Sequence, residues 1–265
     1  MARWMIDEPT TLDFEGVVAL KAGLVAGAIS VVAGDERPSV HVSDVHGSPL
    51  TVTHEAGMLT IAHENVLGGI LQWLSSNRSR ATVTVMVPPG CPVTINLVTA
   101  DAVIAGLTAR TSVRTGSGDV TLGRVTGRID VGTVSGAVEA QDLAGTMTFN
   151  SVSGDLALAG GYLDMLNAKS VNGKIAADIS MGASGQVTVT TVSGEVTLRL
   201  PASTSAKVSL TSAAGRIDST FEGLDRAARA AWKSLTGTLG DGAGQLTVNT
   251  VSGSVTLLSR SELEN

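Results

Sequence analysis

Residues 118–162 read GDVTLGRVT, GRIDVGTVS, GAVEAQDLA, GTMTFNSVS and GDLALAGGY, five lines of nine residues that each begin with glycine. The third and fifth positions of every line are apolar, and the residues around them are mostly polar or small. Side chains two residues apart lie on one face of a β-strand, so each line predicts a short strand with one buried face. The eighth position is apolar in the first four lines, which predicts a bend that turns this side chain inward as well.

The same pattern returns further along the chain, in lines that begin at Gly173, Gly185, Gly194, Gly215, Gly244 and Gly253. One such line cannot bury its apolar row alone, whereas stacked lines bury a continuous row. Glycine at the first position lets the backbone turn where a Cβ would obstruct it. The VSG tripeptide ends alternate lines, which indicates two lines per coil. We therefore predict an all-β fold, a parallel β-helix (β-solenoid) with coils of about 18–21 residues.

The spacing of these glycines increases from 18 residues to 19 and then 21 between Gly154 and Gly215. The extra residues predict small protrusions at three segments, residues 160–167, 180–183 and 201–206. Loops on a rigid scaffold often carry binding residues, although these three are short and contain few charges.

We expect one β-solenoid domain over residues 1–265, with β-rich N-terminal coils or a cap over 1–95 and Gly/VSG repeat coils over 96–260. The first part lacks the glycine register but alternates apolar and polar residues as strands do. Its Ala56-Gly57 pair is typical of a hairpin turn. Residues 17–34 are the most apolar stretch, but Lys21 and several glycines favour two short strands over a membrane span.

Residues 223–235, GLDRAARAAWKSL, depart from the strand pattern. Leu224, Ala228, Ala231 and Leu235 would share one face of a helix. The acidic residues near its start and Lys233 near its end suit the helix dipole. We therefore predict a short helical insertion near 223–235 that covers or caps the coils.

Residues 65–80, NVLGGILQWLSSNRSR, contain the second departure, an apolar cluster followed by two arginines. A short amphipathic helix with this composition would contact a partner or lie on a membrane surface. The alternative is a loop whose apolar side packs on the solenoid. The candidate interaction patch consists of Ile70, Leu71, Trp73 and Leu74.

The composition and motifs give few candidates for catalytic or ligand-binding residues. The chain has 18 Lys and Arg against 24 Asp and Glu, a net charge of −6, so nucleic acid is not an expected partner. It contains neither a G-x-S-x-G elbow nor a phosphate-binding loop. Its four histidines are close in sequence, but their positions on the predicted strands separate them too far to share an ion: His41, His46, His54 and His63. We predict no catalytic residues, no cofactor and no metal.

The segments TVSGAVEA, SVSGDLAL, TVSGEVTLRLP and TVSGSVTLL, with the upstream VTVMVPPG and the closing GAGQLTVNTVSG, resemble the bacterial putative-adhesin family of unknown function. The resemblance covers roughly residues 13–258. It implies a β-helical scaffold without enzymatic activity, of a kind found in cell-envelope stress proteins. It implies no catalytic residues.

These observations predict a non-enzymatic, adhesin-like repeat scaffold that is associated with the cell envelope. The expected partner is a protein or another envelope component, with self-association and peripheral membrane contact as further modes. The chain shows no signal peptide or membrane-spanning segment, which predicts a cytoplasmic location. Two alternatives stay open: a cytoskeletal-type polymer assembled through strand edges, and a carbohydrate-active β-helix enzyme.

Overall fold

A computed structural model describes residues 2–63, 79–229 and 232–261. Over these ranges the chain forms β-strands joined by turns, and it contains no helix. The prediction of an all-β, solenoid-like fold is confirmed. The chain divides into two compact units, Met1–Gly132 and Thr133–Asn265. Within the described ranges, no helix is long and apolar enough to cross a membrane.

The first unit contains thirteen strands among its described residues. They are β1 (Ala2–Ile6), β2 (Thr10–Asp13), β3 (Ala19–Leu24), β4 (Ala26–Ala33), β5 (Ser39–His46), β6 (Leu50–Glu55), β7 (Met58–His63), β8 (Arg80–Val87), β9 (Val93–Leu97), β10 (Asp101–Ala105), β11 (Thr111–Thr115), β12 (Val120–Gly123) and β13 (Thr126–Thr133), whose last residue begins the second unit.

These strands build two ladders. The first runs β1–β6–β7–β3–β9–β11, and the second runs β2–β5–β8–β4–β10–β12. The first two pairings of each ladder are antiparallel and the others are parallel. In each ladder an early strand lies between two later ones, because β3 separates β7 from β9 and β4 separates β8 from β10. The β6–β7 hairpin turns at Ala56-Gly57, as predicted, with positive φ at both residues.

The second unit contains ten further strands among its described residues. They are β14 (Val138–Ser151), β15 (Leu156–Ser170), β16 (Ile175–Thr191), β17 (Val196–Pro201), β18 (Ala206–Ser212), β19 (Ile217–Ser219), β20 (Leu224–Arg229), β21 (Trp232–Leu239), β22 (Gly244–Thr250) and β23 (Val255–Arg260).

The ladders of the second unit have the opposite order, with a late strand between two earlier ones. Strands β14, β15 and β16 pair in parallel along most of their length. The C-terminal halves continue as β16–β22–β18–β21–β20, and the N-terminal halves as β16–β17–β23–β19. The last two strands in sequence, β22 and β23, are therefore interior strands. Only the β18–β21 and β20–β21 pairings are antiparallel among these.

Seven turns among the described residues depend on a hydroxyl and a glycine, those before Gly118, Gly136, Gly154, Gly173, Gly194, Gly215 and Gly253. A Thr or Ser three residues before the glycine accepts a hydrogen bond from the glycine N–H over 2.7–3.1 Å. A Cβ on Gly194 would overlap the carbonyl oxygen of Gly173 in the neighbouring coil. A Cβ on Gly154, Gly173, Gly215 or Gly253 would overlap a carbonyl oxygen in the same way. The obstruction expected from the sequence is thus present, and the inward hydroxyl completes the turn.

The eighth position of the repeat does not always face inward. Val125 and Leu143 are buried, as predicted, but the valines of the VSG-type turns are 41–54% exposed: Val134, Val152, Val171, Val192 and Val251. The preceding Thr or Ser points inward instead, because its hydroxyl caps the glycine N–H. The sequence prediction for this position is wrong at these turns.

The predicted coil length does not describe the whole chain. Ala102 pairs in parallel with Val120 of the next coil, and this separation lies within the predicted range. Val196 of β17 pairs with Val255 of β23, and this separation lies far outside it. The same is true of the pairing between β3 and β9. The inserted strands cause these long separations, because the chain leaves the ladder and returns to an interior position.

The helix predicted near 223–235 is wrong. This segment contributes to β20 and β21, which pair with each other in antiparallel fashion. Strand β21 also pairs along the whole of β18 and places Leu235 opposite Leu210, where both side chains are buried. An open edge on β18 supplies backbone hydrogen-bond partners to a strand, and this tertiary pairing outweighs the local helix propensity.

Candidate functional site

A groove of about 860 Å³ lies in the second unit. It combines charged, hydroxyl-bearing and apolar side chains. Its lining consists of Gln141, Asp142, Ala159, Gly160, Tyr162, Asp178, Ser180, Met181, Gly182, Ala183, Arg199, Pro201, Ser203, Thr204, Ser205, Arg260 and Ser261.

The three segments that carry extra residues meet at this groove. Residues from 160–167, 180–183 and 201–206 all belong to the lining. The first two lie within long strands and shift the pairing register, between Ala159 and Tyr162 and again between Leu163 and Met165. The third is a turn in which the Thr204 N–H donates to the Pro201 carbonyl over 3.0 Å. Insertions at equivalent places of successive coils therefore build one concave surface.

Gly160 and Gly161 make the first of these irregularities. Their φ angles are 72° and 110°, in the region that glycine tolerates best. A Cβ on Gly161 would also overlap the backbone of Leu143 in the adjacent coil. The local change of direction leaves the side chain of Tyr162 about half exposed, at 51%.

An ionic cluster lines the groove. Asp178 is a registered neighbour of Arg199 on β17 and faces outward because the flanking Ala177 and Ile179 are buried. The Arg260 Nη1 donates to Asp178 Oδ1 over 2.6 Å, and its Nη2 donates to Ser180 Oγ over 2.8 Å. The Arg199 Nη1 lies 3.7 Å from Asp178 Oδ2. One carboxylate thus faces two guanidinium groups.

The cluster is partly shielded from water. The side chains of Arg260, Asp178 and Arg199 are 25%, 32% and 41% exposed. Arg260 reaches Asp178 from β23, across β17, so the end of the last strand is tied to β16 by this contact. A charge-assisted pair of this kind fixes the orientation of both side chains.

The hydroxyl-rich side of the groove is held by a second set of contacts. Ser205 donates a hydrogen bond to Asp241, and the Gly242 N–H donates to Ser205 Oγ over 3.0 Å. The Ser205 hydroxyl keeps the pKa of the Asp241 carboxyl below its ordinary value. Thr204 is 8% exposed, and within the described part of the chain its Oγ1 is buried without a hydrogen-bond partner.

The interaction patch predicted at Ile70, Leu71, Trp73 and Leu74 lies outside the described residues. Sequence reasoning named the three inserted segments but missed the ionic cluster. A signal was available, because aligning the lines GKIAADIS and GEVTLRL on their glycines places Asp178 beside Arg199. The contribution of Arg260 had no such signal, since β18 to β22 come between β17 and β23 in the sequence.

Outside the groove, Asp130 is also paired with two guanidinium groups, since Arg110 Nη2 and Arg128 Nε each lie 3.1 Å from its Oδ2.

The histidines have separate partners. His41 Nδ1 lies 2.8 Å from the Thr11 hydroxyl, and His46 Nδ1 lies 2.9 Å from an Asp44 carboxylate oxygen. The buried His63 accepts a hydrogen bond from the Val25 N–H at its Nδ1, and burial lowers its pKa. Across residues 2–63, 79–229 and 232–261, no three His, Cys, Asp or Glu side chains form a group that could hold a metal ion.

Comparison with known proteins gives one family and several solved structures. The model of the family described as Toastrack DUF4097 matches residues 27–258. A "putative lipid binding protein" from Parabacteroides distasonis ATCC 8503 is 15% identical, with 95% of this chain and 97% of that chain covered and a TM-score of 0.48.

Two further structures have names that refer to adhesion. A "putative adhesin" from Parabacteroides distasonis ATCC 8503 is 11% identical, with 96% and 98% of the two chains covered and a TM-score of 0.46. A "putative cell adhesion protein" from Clostridium sporogenes ATCC 15579 is 14% identical, with 96% and 99% covered and a TM-score of 0.21. No curated protein matches the sequence.

Proposed function

The chain belongs to the Toastrack DUF4097 family, and from this premise we propose that it is a non-enzymatic, adhesin-like scaffold that binds a component of the cell envelope in the groove of its second unit. The membership confirms the resemblance drawn from the VSG repeats. The observation that carries the proposal is the convergence of three inserted segments on one groove. A stacked repeat does not need such insertions to bury its core, so their shared position indicates a function.

The ionic cluster supports recognition rather than bond cleavage. Asp178 is held between Arg260 and Arg199, so its carboxylate is engaged in positioning two cations. Cleavage of a glycosidic bond needs two carboxyl groups in distinct acid and base roles. Of the two carboxylates that line the groove, Asp142 and Asp178, the second is already engaged by the arginines. A carboxylate fixed between two guanidiniums instead offers a rigid array of donors and acceptors for a ligand.

The proposal is tested by co-sedimentation of the full chain with bacterial cell-wall sacculi and with membrane vesicles. Ala183 is exposed on the rim of the groove, so Ala183→Trp should fill the groove without disturbing the core. Ala176→Trp is the matched control, because Ala176 is exposed on the same strand but does not line the groove. We expect the first variant to lose association at least tenfold and the second to keep it. Equal binding by both variants would contradict a role for the groove.

The apolar cluster Ile70, Leu71, Trp73 and Leu74 is proposed as a second contact surface, on its sequence alone. Changing all four residues to Ser should weaken association with a protein partner or vesicles while the far-UV circular dichroism stays that of a β protein. Unchanged association would remove this patch from the proposal.

The proposed place of action is the envelope, reached from the cytoplasmic side. Fractionation of cells that express the chain, with protease added to intact cells, tests this point. Protection from protease together with partial membrane association is the expected result. Digestion from outside would place the protein on the cell surface instead.

A further inference from the structure

The charges that line the groove balance each other. Asp142 and Asp178 supply two carboxylates, and Arg199 and Arg260 supply two guanidiniums. Both guanidiniums lie within 4 Å of the Asp178 carboxylate, so an incoming anion would have to compete with it. A cationic ligand would be repelled by the two arginines. Charge complementarity therefore favours a ligand without net charge that can donate and accept hydrogen bonds.

Tyr162 gives the groove an apolar surface beside these polar groups. Its side chain is 51% exposed, although a ring of this size is usually more buried in a monomeric protein. An exposed aromatic ring with a polar end is typical of recognition surfaces. The C–H face of a sugar ring can pack on such a surface while its hydroxyls reach Asp178, Arg260 and Ser180.

The C-terminal half of strand β16 carries a regular polar row beyond the groove. Strand β16 carries Asp178 and Ser180 in the groove and Thr188 further along. In the registered strands, Thr188 lies in a row with Thr148, Asn167, Thr247 and Ser209. Adjacent strands are about 4.8 Å apart, so the row places hydroxyl and amide side chains at a regular spacing. The Asn167 Oδ1 atom of this row is buried.

The two rows that flank this one have the same character. The outward positions of five registered segments are Thr, Ser, Asn or Gln, except Met165, Lys169 and Lys207, and none of them is a carboxylate. These segments are residues 146–150, 165–169, 186–190, 245–249 and 207–211. A depression of about 320 Å³ on this face is lined by Gln186, Lys207 and Thr247, among others. Apart from these two lysines and Met165, the surface consists of neutral donors and acceptors, which complement a chain rich in hydroxyl groups.

We propose that the ligand of the second unit is an uncharged polysaccharide, with one sugar in the groove against Tyr162 and the following sugars along the row that contains Thr188 and Thr247. This inference rests on the proposed function, because it names the class of ligand that the groove binds. Direct hydrogen bonds and ring packing, rather than ionic attraction, would hold the chain.

The test is isothermal titration of the full chain with chitohexaose and cellohexaose as uncharged probes, and with hexagalacturonate as an acidic one. We expect an uncharged probe to bind, with a Kd that stays within about twofold when the salt rises from about 0.05 to 0.5 M, because screening acts on charged ligands. Tyr162→Ala should raise the Kd at least tenfold and Tyr162→Phe should leave it nearly unchanged. Thr188→Val with Thr247→Val should raise the Kd several-fold.

Trp232→Ala serves as the control, because Trp232 is another exposed aromatic residue of the second unit and does not line the groove. Preferential binding of hexagalacturonate that weakens with salt would overturn this inference and leave the proposed function intact. Binding of no probe, together with envelope association that depends on Ala183, would likewise overturn the inference alone. Envelope association that is unchanged by Ala183→Trp would overturn the proposed function. Release of reducing ends from a probe would overturn the non-enzymatic part of that proposal.

Discussion

One hydroxyl completes each turn of the VSG type. Thr191 is 2% exposed, and its Oγ1 accepts a hydrogen bond from the Gly194 N–H over 3.1 Å. Thr191→Val keeps the shape but leaves this buried N–H without its partner, so we expect the free energy of unfolding to fall by about 1–3 kcal/mol. Urea unfolding measures the change. Thr190→Val, on the exposed neighbour, is the control, and equal stability of the two variants would contradict this role.

The buried His63 gives the first unit a pH dependence. Burial lowers its pKa below the ordinary value of 6.5, and its Nδ1 accepts the Val25 N–H, so the folded state favours the neutral ring. Between the lowered pKa and 6.5 the unfolded chain binds more protons, so stability falls as the pH drops below about 6.5. We expect His63→Gln to flatten this part of the curve in urea unfolding between pH 8 and pH 5. Parallel curves for the two proteins would show that His63 does not titrate in this way.

At this scale the sequence predicts some residues and misleads on others. The glycines were predictable, because a regular spacing reveals a position where a Cβ cannot fit. The exposure of the valines in the turns was not predictable. In sequence, the apolar valine resembles a core residue more than the neighbouring Thr or Ser does, although the Thr or Ser is the one that points inward. The link between Asp178 and Arg260 depends on the pairing of β17 with β23, two strands that are far apart in sequence, and no local pattern encodes that pairing.

At the scale of elements, the second unit has a late strand, β22, in the interior of its sheet. This strand is near the end of the sequence, yet it pairs with β16 on one side and β18 on the other. Strand β20 pairs with β21 alone among the described strands. We expect the amides of β22 to exchange with deuterium as slowly as those of β16, and those of β20 to exchange much faster. Fast exchange in β22 would contradict its interior position.

The pairing of strands that are distant in sequence explains which elements could be predicted and which could not. Strands with local partners, such as the β6–β7 hairpin, follow from turn residues and alternation. The segment 223–235 has a helical pattern, but the unpaired edge of β18 selects a strand there. A pattern confined to one segment cannot reveal that a distant strand will leave an edge open.

At the scale of the whole molecule, the prediction of one domain over residues 1–265 stays a prediction. The nine-residue repeat runs without a slip from Gly118 to Tyr162, and the division between the two units falls inside it. We therefore expect one cooperative unfolding transition. Two variants that each keep a single tryptophan, Trp4 or Trp232, would report on the first and second units. Coincident urea midpoints are the expected result, and separated midpoints would show two domains.

The most direct test of the proposed function is a hydrogen-exchange footprint of the full chain, with and without an envelope preparation that binds it. The groove predicts slower exchange in peptides that cover residues 160–162, 180–183 and 201–205, since bound ligand would shield these segments together. The other peptides of the second unit should change little. Unaltered exchange in all three segments, with protection confined to residues 65–80 or to the first unit, would contradict the groove as the binding site.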